Sequence, residues 1–312
     1  MSFVHLIWHS TFSFLESLGK PWDIVPRVQS LWQDAVALTD YNGVFGAIKL
    51  YDAARDADIK PIVWVETWFV VDHNSDVDPK HVGTLSLIAT NNAWYHNILK
   101  LTSLANTAWI QWRPKIDLWM LEANKEWIIA ITGTERSRLQ TMIHYSDNPD
   151  KYDEVFGKIV SILGKDNVLW VLVAQKYTDC PVYKKLHPVV EQLCKKYDCP
   201  MITANDFHHI LPDQRKAREA ALAIKDGKKM YETDRRNPPG QYHIMSEEEI
   251  RLIHKDNWFA DEKIDDLLTT AQTIADRIDI EIELGKTLFP NYDSPEHIEK
   301  MYEKYKDTLV EE

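Results

Sequence analysis

The seven residues Val168-Leu169-Trp170-Val171-Leu172-Val173-Ala174 carry no polar side chain. A strand that is apolar on both faces has to be covered on both faces, which calls for a sheet flanked or ringed by helices. Trp127 to Thr132 is a second apolar run of this type. Helical patterns at about 148–163 and 182–197 flank the run at 168–174, so strand and helix alternate and the fold class is α/β.

The alternation extends along the chain. Strands are expected at about 3–8, 35–40, 61–71, 84–90 and 200–204. Helices are expected at about 22–33, 45–57, 91–106, 212–226, 246–254 and 260–279. After about 280 charge dominates, and 281–312 reads as a short strand and an acidic helix. A chain of 312 residues accommodates one large domain or two smaller ones.

Several expected strands end in ionisable residues: His9, Asp40, Glu66, and Asp206 with His208. In α/β barrels the functional site lies at the C-terminal ends of the strands. Within a strand, residues 5, 7 and 9 share a face, so His5 and His9 point the same way with Ile7 between them. Such a pair suits a divalent metal through neutral imidazole, or a structural role. Asp40 is a candidate ligand or the N-cap of the helix that begins near 44. Glu66 follows Ile62-Val63-Trp64-Val65, and a carboxylate buried there needs a partner or a metal. Asp206-x-His208 places two ligand types on one face of an extended segment.

A formal charge of −12 argues against nucleic-acid binding through a broad basic surface but leaves room for a local basic groove. Arg215, Lys216, Arg218, Lys225, Lys228, Lys229, Arg235 and Arg236 are locally dense. They form either a solvated helix face or a contact for nucleic-acid phosphates or an acidic partner. Cys180, Cys194 and Cys199 lack zinc spacing and are too few for a disulfide framework, so reduced thiols are expected. With no signal peptide and no apolar run near 18 residues, the expectation is a cytoplasmic protein without a membrane partner. No glycine-rich phosphate loop, nucleophile elbow or HExxH helix is present.

The stretches "FVHLIWHSTFSFLES", "AVALTDYNGVFGAIKLYDAARDADIKPIVWVETWFV", "LSLIATNNAWYHNILKLTSLA", "PMITANDFHHI" and "PGQYHIMSEEEI" follow one another in order. Together they resemble the N-terminal PHP (polymerase and histidinol phosphatase) domain of the bacterial replicative DNA polymerase III alpha subunit, over essentially the whole chain. The resemblance implies a distorted seven-stranded (β/α) barrel over 1–280. It implies that 281–312 is an incomplete helical segment leading toward a polymerase palm, whose carboxylates lie beyond this chain. Active members hold up to three metals at the strand ends, where a metal-bound hydroxide attacks a phosphoester. His9, Glu66, Asp206 and His208 match ligand positions, near His5 and Asp40. Glu16 stands where aspartate is usual. Ile7, Tyr41, Thr84 and Val173 stand at positions where ligands have been lost, since active members carry His at the first three and often Glu at the last.

The implied function is therefore a scaffold and docking domain in DNA replication, with at most one weakly held divalent metal (Zn, Mn or Mg). Mg would serve the parent polymerase, a nucleotidyltransferase that engages DNA. The implied partners are replisome subunits, in particular a proofreading exonuclease. Two alternatives stand beside it: a stand-alone metal-dependent phosphoesterase acting on a small phosphate ester, and an interaction protein without catalysis.

One compositional oddity remains. The chain has 10 glycines and 12 tryptophans, whereas glycine averages about 7% of residues. Against the family pattern, Trp32, Trp64, Trp94 and Trp127 fall where glycine is common, with Trp112 a further candidate. UGA codons that mean glycine in the source, rendered as tryptophan, would explain both counts; genuine tryptophan enrichment is the alternative.

Overall fold

The computed structural model describes residues 3–72, 82–107, 114–145, 148–287 and 295–305. The chain divides into two compact units, Met1–Glu281 and Ile282–Glu312.

The first unit is built on seven strands: β1 (Ala35–Tyr41), β2 (Lys60–Phe69), β3 (Gly83–Ala89), β4 (Lys115–Ile116), β5 (Ile128–Thr132), β6 (Val168–Val173) and β7 (Met201–Ala204). Its helices are α1 (Pro21–Ser30), α2 (Ala47–Arg55), α3 (Asn92–Thr107), α4 (Leu118–Ala123), α5 (Arg138–Tyr145), α6 (Pro149–Leu163), α7 (Pro181–Tyr197), α8 (Arg215–Lys225), α9 (Glu247–Asp256) and α10 (Asp261–Asp276). The sheet order is β1-β2-β3-β5-β6-β7, with β4 pairing β2 off this path. β3 runs antiparallel to both neighbours, and the other pairs are parallel. This reversed strand distorts the simple (β/α) repeat.

Residues 3–8, expected as a strand, form a strap instead. His5 bridges Val36 of β1, and Trp8 bridges Phe207 just beyond β7. The strap reaches β1 through Ala37 N–H to His5 O at 3.0 Å and Thr39 N–H to Trp8 O at 2.6 Å, and the far side through His9 N–H to Phe207 O at 3.3 Å, too few bonds for a continuous ladder. The strap nevertheless joins the first and last strands of the curled sheet, giving the seven-stranded, barrel-like architecture that the resemblance implies. Its apolar residues anchor it: Trp8, Phe207, Val36 and Leu38 pack with Ile24, Val28 and Leu50 of α1 and α2 in one buried cluster. Burying each such side chain stabilises by about 1.5–3 kcal/mol, which holds the strap in place without a ladder.

The runs at 128–132 and 168–173 are buried at every position, as their composition requires. Helix α9 begins at a capping box: Ser246 Oγ accepts from Glu249 N–H, and Glu249 Oε2 accepts from Ser246 N–H. Three short elements escape the sequence patterns: β4, α4 and α5, of two, six and eight residues. Too few turns are present in them for a clear period.

In the second unit, α11 spans Pro295–Tyr305. The short strand expected after 281 is not found among the described residues. Residues 282–287 lack regular structure.

Candidate metal centre

The parallel strands deliver their C-terminal ends to one region. The strap supplies His9, β1 ends in Asp40 and Tyr41, and β2 carries Glu66. Antiparallel β3 contributes Thr84 from its start, the loop after β5 supplies Thr134 and Arg136, and β7 leads into Asp206 and His208. Ser17 ties the two ends of this arc together, its hydroxyl lying against the backbone carbonyls of both His9 and His208.

His9 is fully buried between two carboxylates. Its Nε2 lies 3.2 Å from Glu66 Oε2, and its Nδ1 lies 3.2 Å from Asp206 Oδ1. Burial alone would lower its pKa, but the Asp206 and Glu66 carboxylates outweigh this and lift it to about 9. His208 stacks on His9 with ring centroids 4.7 Å apart. Burial, reinforced by the Arg218 charge, pushes the His208 pKa well down, so its imidazole is neutral.

His9, Asp206 and His208 offer ligand atoms that all lie within 4.8 Å of one another, and they could hold a metal ion. A physical observation supports the fit. His208 Nδ1 is buried without a hydrogen-bond partner, and Asp206 Oδ1 faces His9 Nδ1 at 3.2 Å and His208 Nε2 at 3.6 Å. A buried ring nitrogen left without a partner is costly, and a cation would satisfy it. Asp206 also holds a left-handed backbone, φ 47°, a conformation that aspartate tolerates and that clusters at functional sites.

The remaining acids are satisfied by the protein itself. Glu66 Oε1 accepts from Thr84 Oγ1 at 2.5 Å and from Thr134 Oγ1 at 3.4 Å, and its Oε2 accepts from Ser86 Oγ at 3.5 Å. Glu66 stands on the opposite edge of the His9 ring from Asp206. Asp40 accepts from Ser10 N–H at 2.8 Å, Ser10 Oγ at 2.7 Å and Ser13 Oγ at 2.8 Å. It therefore organises the turn at 10–13. It does not cap the following helix, whose N-cap is Gly46 without a side-chain bond. Burial raises the Asp40 pKa against these bonds.

Glu16 lies in a cage of cations. Arg136 Nη2 and Lys225 Nζ each approach it at 2.7 Å, and Arg236 Nη1 at 3.1 Å. Burial would raise its pKa, but the Arg136 guanidinium, with Lys225 and Arg236, holds it down at about 2.

The structure places His5 outside the cluster, with Nε2 bonded to the Met245 carbonyl at 2.7 Å and Phe3 and Phe207 edge-on to its ring. Burial lowers its pKa to about 4. Ile7 and Val173 are buried and have no ligand atom to offer. Tyr41 stacks on His9 at 4.2 Å, and the Arg136 guanidinium lies 5.0 Å from the Tyr41 ring.

Much of the dense basic stretch is paired with acids, while Arg215, Lys216, Lys225 and Lys229 remain exposed. Arg215 and Arg235 pair with Glu219, Lys228 pairs with Asp234, and Arg236 pairs with Asp226 as well as Glu16. Arg218 is buried over the Tyr242 ring at 4.3 Å. Arg136 also lines a neighbouring cavity of about 410 Å³ with Trp68, Gln140, His144, Tyr183 and Tyr242. Sequence reasoning passed over Arg136, Ser17 and Thr134. For Arg136 and Thr134 a signal existed, because both follow the apolar run at 128–132 at its C-terminal end. All three cysteines are free and buried, and no helix among the described residues is long and apolar enough to cross a membrane.

The sequence profile described as PHP domain matches residues 5–170. The chain is 25% identical over 308 residues to DNA polymerase III subunit alpha of Thermus aquaticus, covering 95% of this chain and 24% of the relative. The same subunit of Borreliella burgdorferi is 27% identical over 303 residues, covering 94% of this chain and 25% of the relative. That of Aquifex aeolicus is 28% identical over 239 residues, covering 74% and 20%. The chain thus spans about a quarter or less of the length of these curated relatives.

Proposed function

The chain belongs to the PHP domain family, and from that premise we propose that it serves as the PHP region of a replicative DNA polymerase III alpha subunit. In this reading it braces the polymerase and docks replisome partners, a proofreading exonuclease subunit first among them. DNA would be engaged through the parent polymerase. The similarity to DNA polymerase III alpha subunits along nearly the whole chain supports this reading.

One observation carries the scaffold role: the acids around the strand ends are hydrogen-bonded or ion-paired by the protein's own side chains. Glu66 is taken by hydroxyls and His9, Asp40 by two serines, and Glu16 by three cations. A multinuclear centre needs such carboxylates to offset repulsion between its cations. With Glu16 and Glu66 engaged in this way, one residual position remains, at His9, Asp206 and His208. Glu66 orients the His9 ring from behind, as carboxylates commonly do for metal-binding histidines. A divalent ion bound there would supply Lewis acidity toward a phosphoryl oxygen. Arg136, from the adjoining loop, would contribute charge to an anion at the mouth of the site.

A second reading, a metal-dependent phosphoesterase acting on a small ester, is favoured by the clustered ligand atoms of His9, Asp206 and His208 and by the unpartnered His208 Nδ1. Metal analysis combined with a phosphodiesterase assay separates the two. The scaffold reading expects at most one equivalent of metal and negligible turnover. Several equivalents with robust turnover would overturn it. Binding of the chain to a partner exonuclease, measured directly, tests the docking role, and no detectable binding would count against it.

A further inference from the structure

Helix α1 ends with Trp32 N–H donating to Gln29 O at 3.0 Å and Gln33 N–H donating to Val28 O at 3.2 Å. Helix α9 ends in the same way, with Trp258 N–H donating to Lys255 O at 2.9 Å and Phe259 N–H donating to His254 O at 3.0 Å. This pair of bonds, one spanning three residues and the next spanning five, defines the Schellman termination of a helix. Its pivotal residue must adopt a left-handed backbone, and glycine dominates there because a Cβ is unfavourable in that conformation. Trp32 has φ 59° and Trp258 φ 64°.

The chain shows what normally occupies this position. Helix α8 ends in the same bond pair around Gly227, φ 66°, and α2 around Asp58, φ 54°. Aspartate is among the few other residues that visit this conformation routinely. Tryptophan is not, and two of these helix ends carry it.

Trp127, φ 55°, repeats the pattern in a tight turn where Ile128 N–H donates to Lys125 O at 3.3 Å. It occupies the third turn position, which takes glycine when φ is positive. The three side chains are 90%, 63% and 76% exposed for Trp32, Trp127 and Trp258. No core is built on them. Trp8, by contrast, is fully buried and stacked on Phe207 at 5.8 Å, and Trp170 is buried edge-on to Phe156 at 5.5 Å.

We propose that the natural chain carries glycine at positions 32, 127 and 258, encoded by UGA codons that the source organism reads as glycine. Trp258 is added here by backbone geometry alone. Trp64 lies buried in extended β2, where no left-handed backbone calls for glycine. The side chain of Trp94 and the whole of Trp112 lie outside the described residues. With glycine at the three positions, each helix end and turn becomes an ordinary one, and the imbalance of 10 glycines against 12 tryptophans is reversed, though glycine stays below its usual share of about 7%.

The test is the gene together with the protein it makes. UGA at codons 32, 127 and 258, UGG at codons 8 and 170, and glycine in the corresponding peptides of protein purified from source cells are expected. UGG at the three positions, or tryptophan in those peptides, overturns the proposal. So does UGA at codons 8 and 170, because the geometric sorting would then have failed. A physical readout is independent of the gene. In recombinant protein carrying tryptophan, Trp32→Gly and Trp258→Gly should each raise the melting temperature, while Trp8→Gly lowers it. A lowered or unchanged melting temperature for the first two overturns the argument from backbone strain.

Discussion

His9 Nε2 lies 3.2 Å from Glu66 Oε2, with both side chains sealed from solvent. The pair matters for folding because His9 holds a proton with a pKa near 9, above its ordinary 6.5. A pKa raised on folding stabilises the protein fully below 6.5, and that contribution is lost as pH rises through about 9. In metal-free protein, urea denaturation should show stability falling between pH 6.5 and 9.5. Glu66→Gln should lower stability by about 1–3 kcal/mol near neutral pH and flatten that slope. A variant with the wild-type slope would remove Glu66 from this role.

Metal binding separates the ligands from their supports. His208→Ala takes away a neutral imidazole whose Nδ1 is otherwise unpartnered, and it should abolish Mn or Zn binding in calorimetry. Glu66→Gln should weaken binding by roughly 10–100-fold, the usual cost of losing the carboxylate behind a ligating histidine. Glu16→Gln should leave affinity within about twofold of wild type, an expectation set by tenfold being about 1.4 kcal/mol. If Glu16→Gln abolished binding, Glu16 would have to be a ligand after all.

Much of this arrangement could be read in the chain, and the limits have physical causes. The runs at 128–132 and 168–173 announced buried strands because nothing polar interrupts them. His9, Asp206 and His208 stood out because each ends or follows an apolar stretch. Glu66 stood out for a related reason, but the hydroxyls that satisfy it are Thr84, Ser86 and Thr134. Serines and threonines are too common in strands for their partners to be guessed. Asp40 resembled a helix cap because a helix follows it, and only the folded turn brings Ser10 and Ser13 to it. The cage around Glu16 draws on Arg136, Lys225 and Arg236, which lie 120 to 220 residues away. No local pattern encodes such a contact.

Acid stability follows from that cage. The Glu16 carboxyl is depressed from 4.5 to about 2, so it stabilises the fold above pH 4.5, and this contribution drains away as pH falls toward 2. The full effect is at most about 3.5 kcal/mol, since each unit is about 1.4 kcal/mol. Glu16→Gln should destabilise the protein at pH 7 and remove most of the loss between pH 4.5 and 2.5. Denaturation midpoints measured across that window provide the check, and equal acid sensitivity in the two proteins would refute it.

The last prediction concerns Gly83, at the start of β3. A Cβ built there would lie 2.3 Å from the Arg138 Cα and 2.5 Å from its N, both backbone atoms that cannot rotate away. The same approach lets Thr84 N–H donate to Arg136 O at 2.8 Å. It thereby fixes the loop that aims Arg136 at Glu16 and sets Thr84 against Glu66. Gly83→Ala must push β3 and this loop apart, at a cost of about 1–3 kcal/mol. Because the displaced loop carries Arg136, the variant should also raise the Glu16 pKa toward its ordinary value, visible as a shifted carboxyl titration by NMR. Unchanged stability and an unchanged Glu16 titration in Gly83→Ala would show that the strand start and the cation cage are uncoupled.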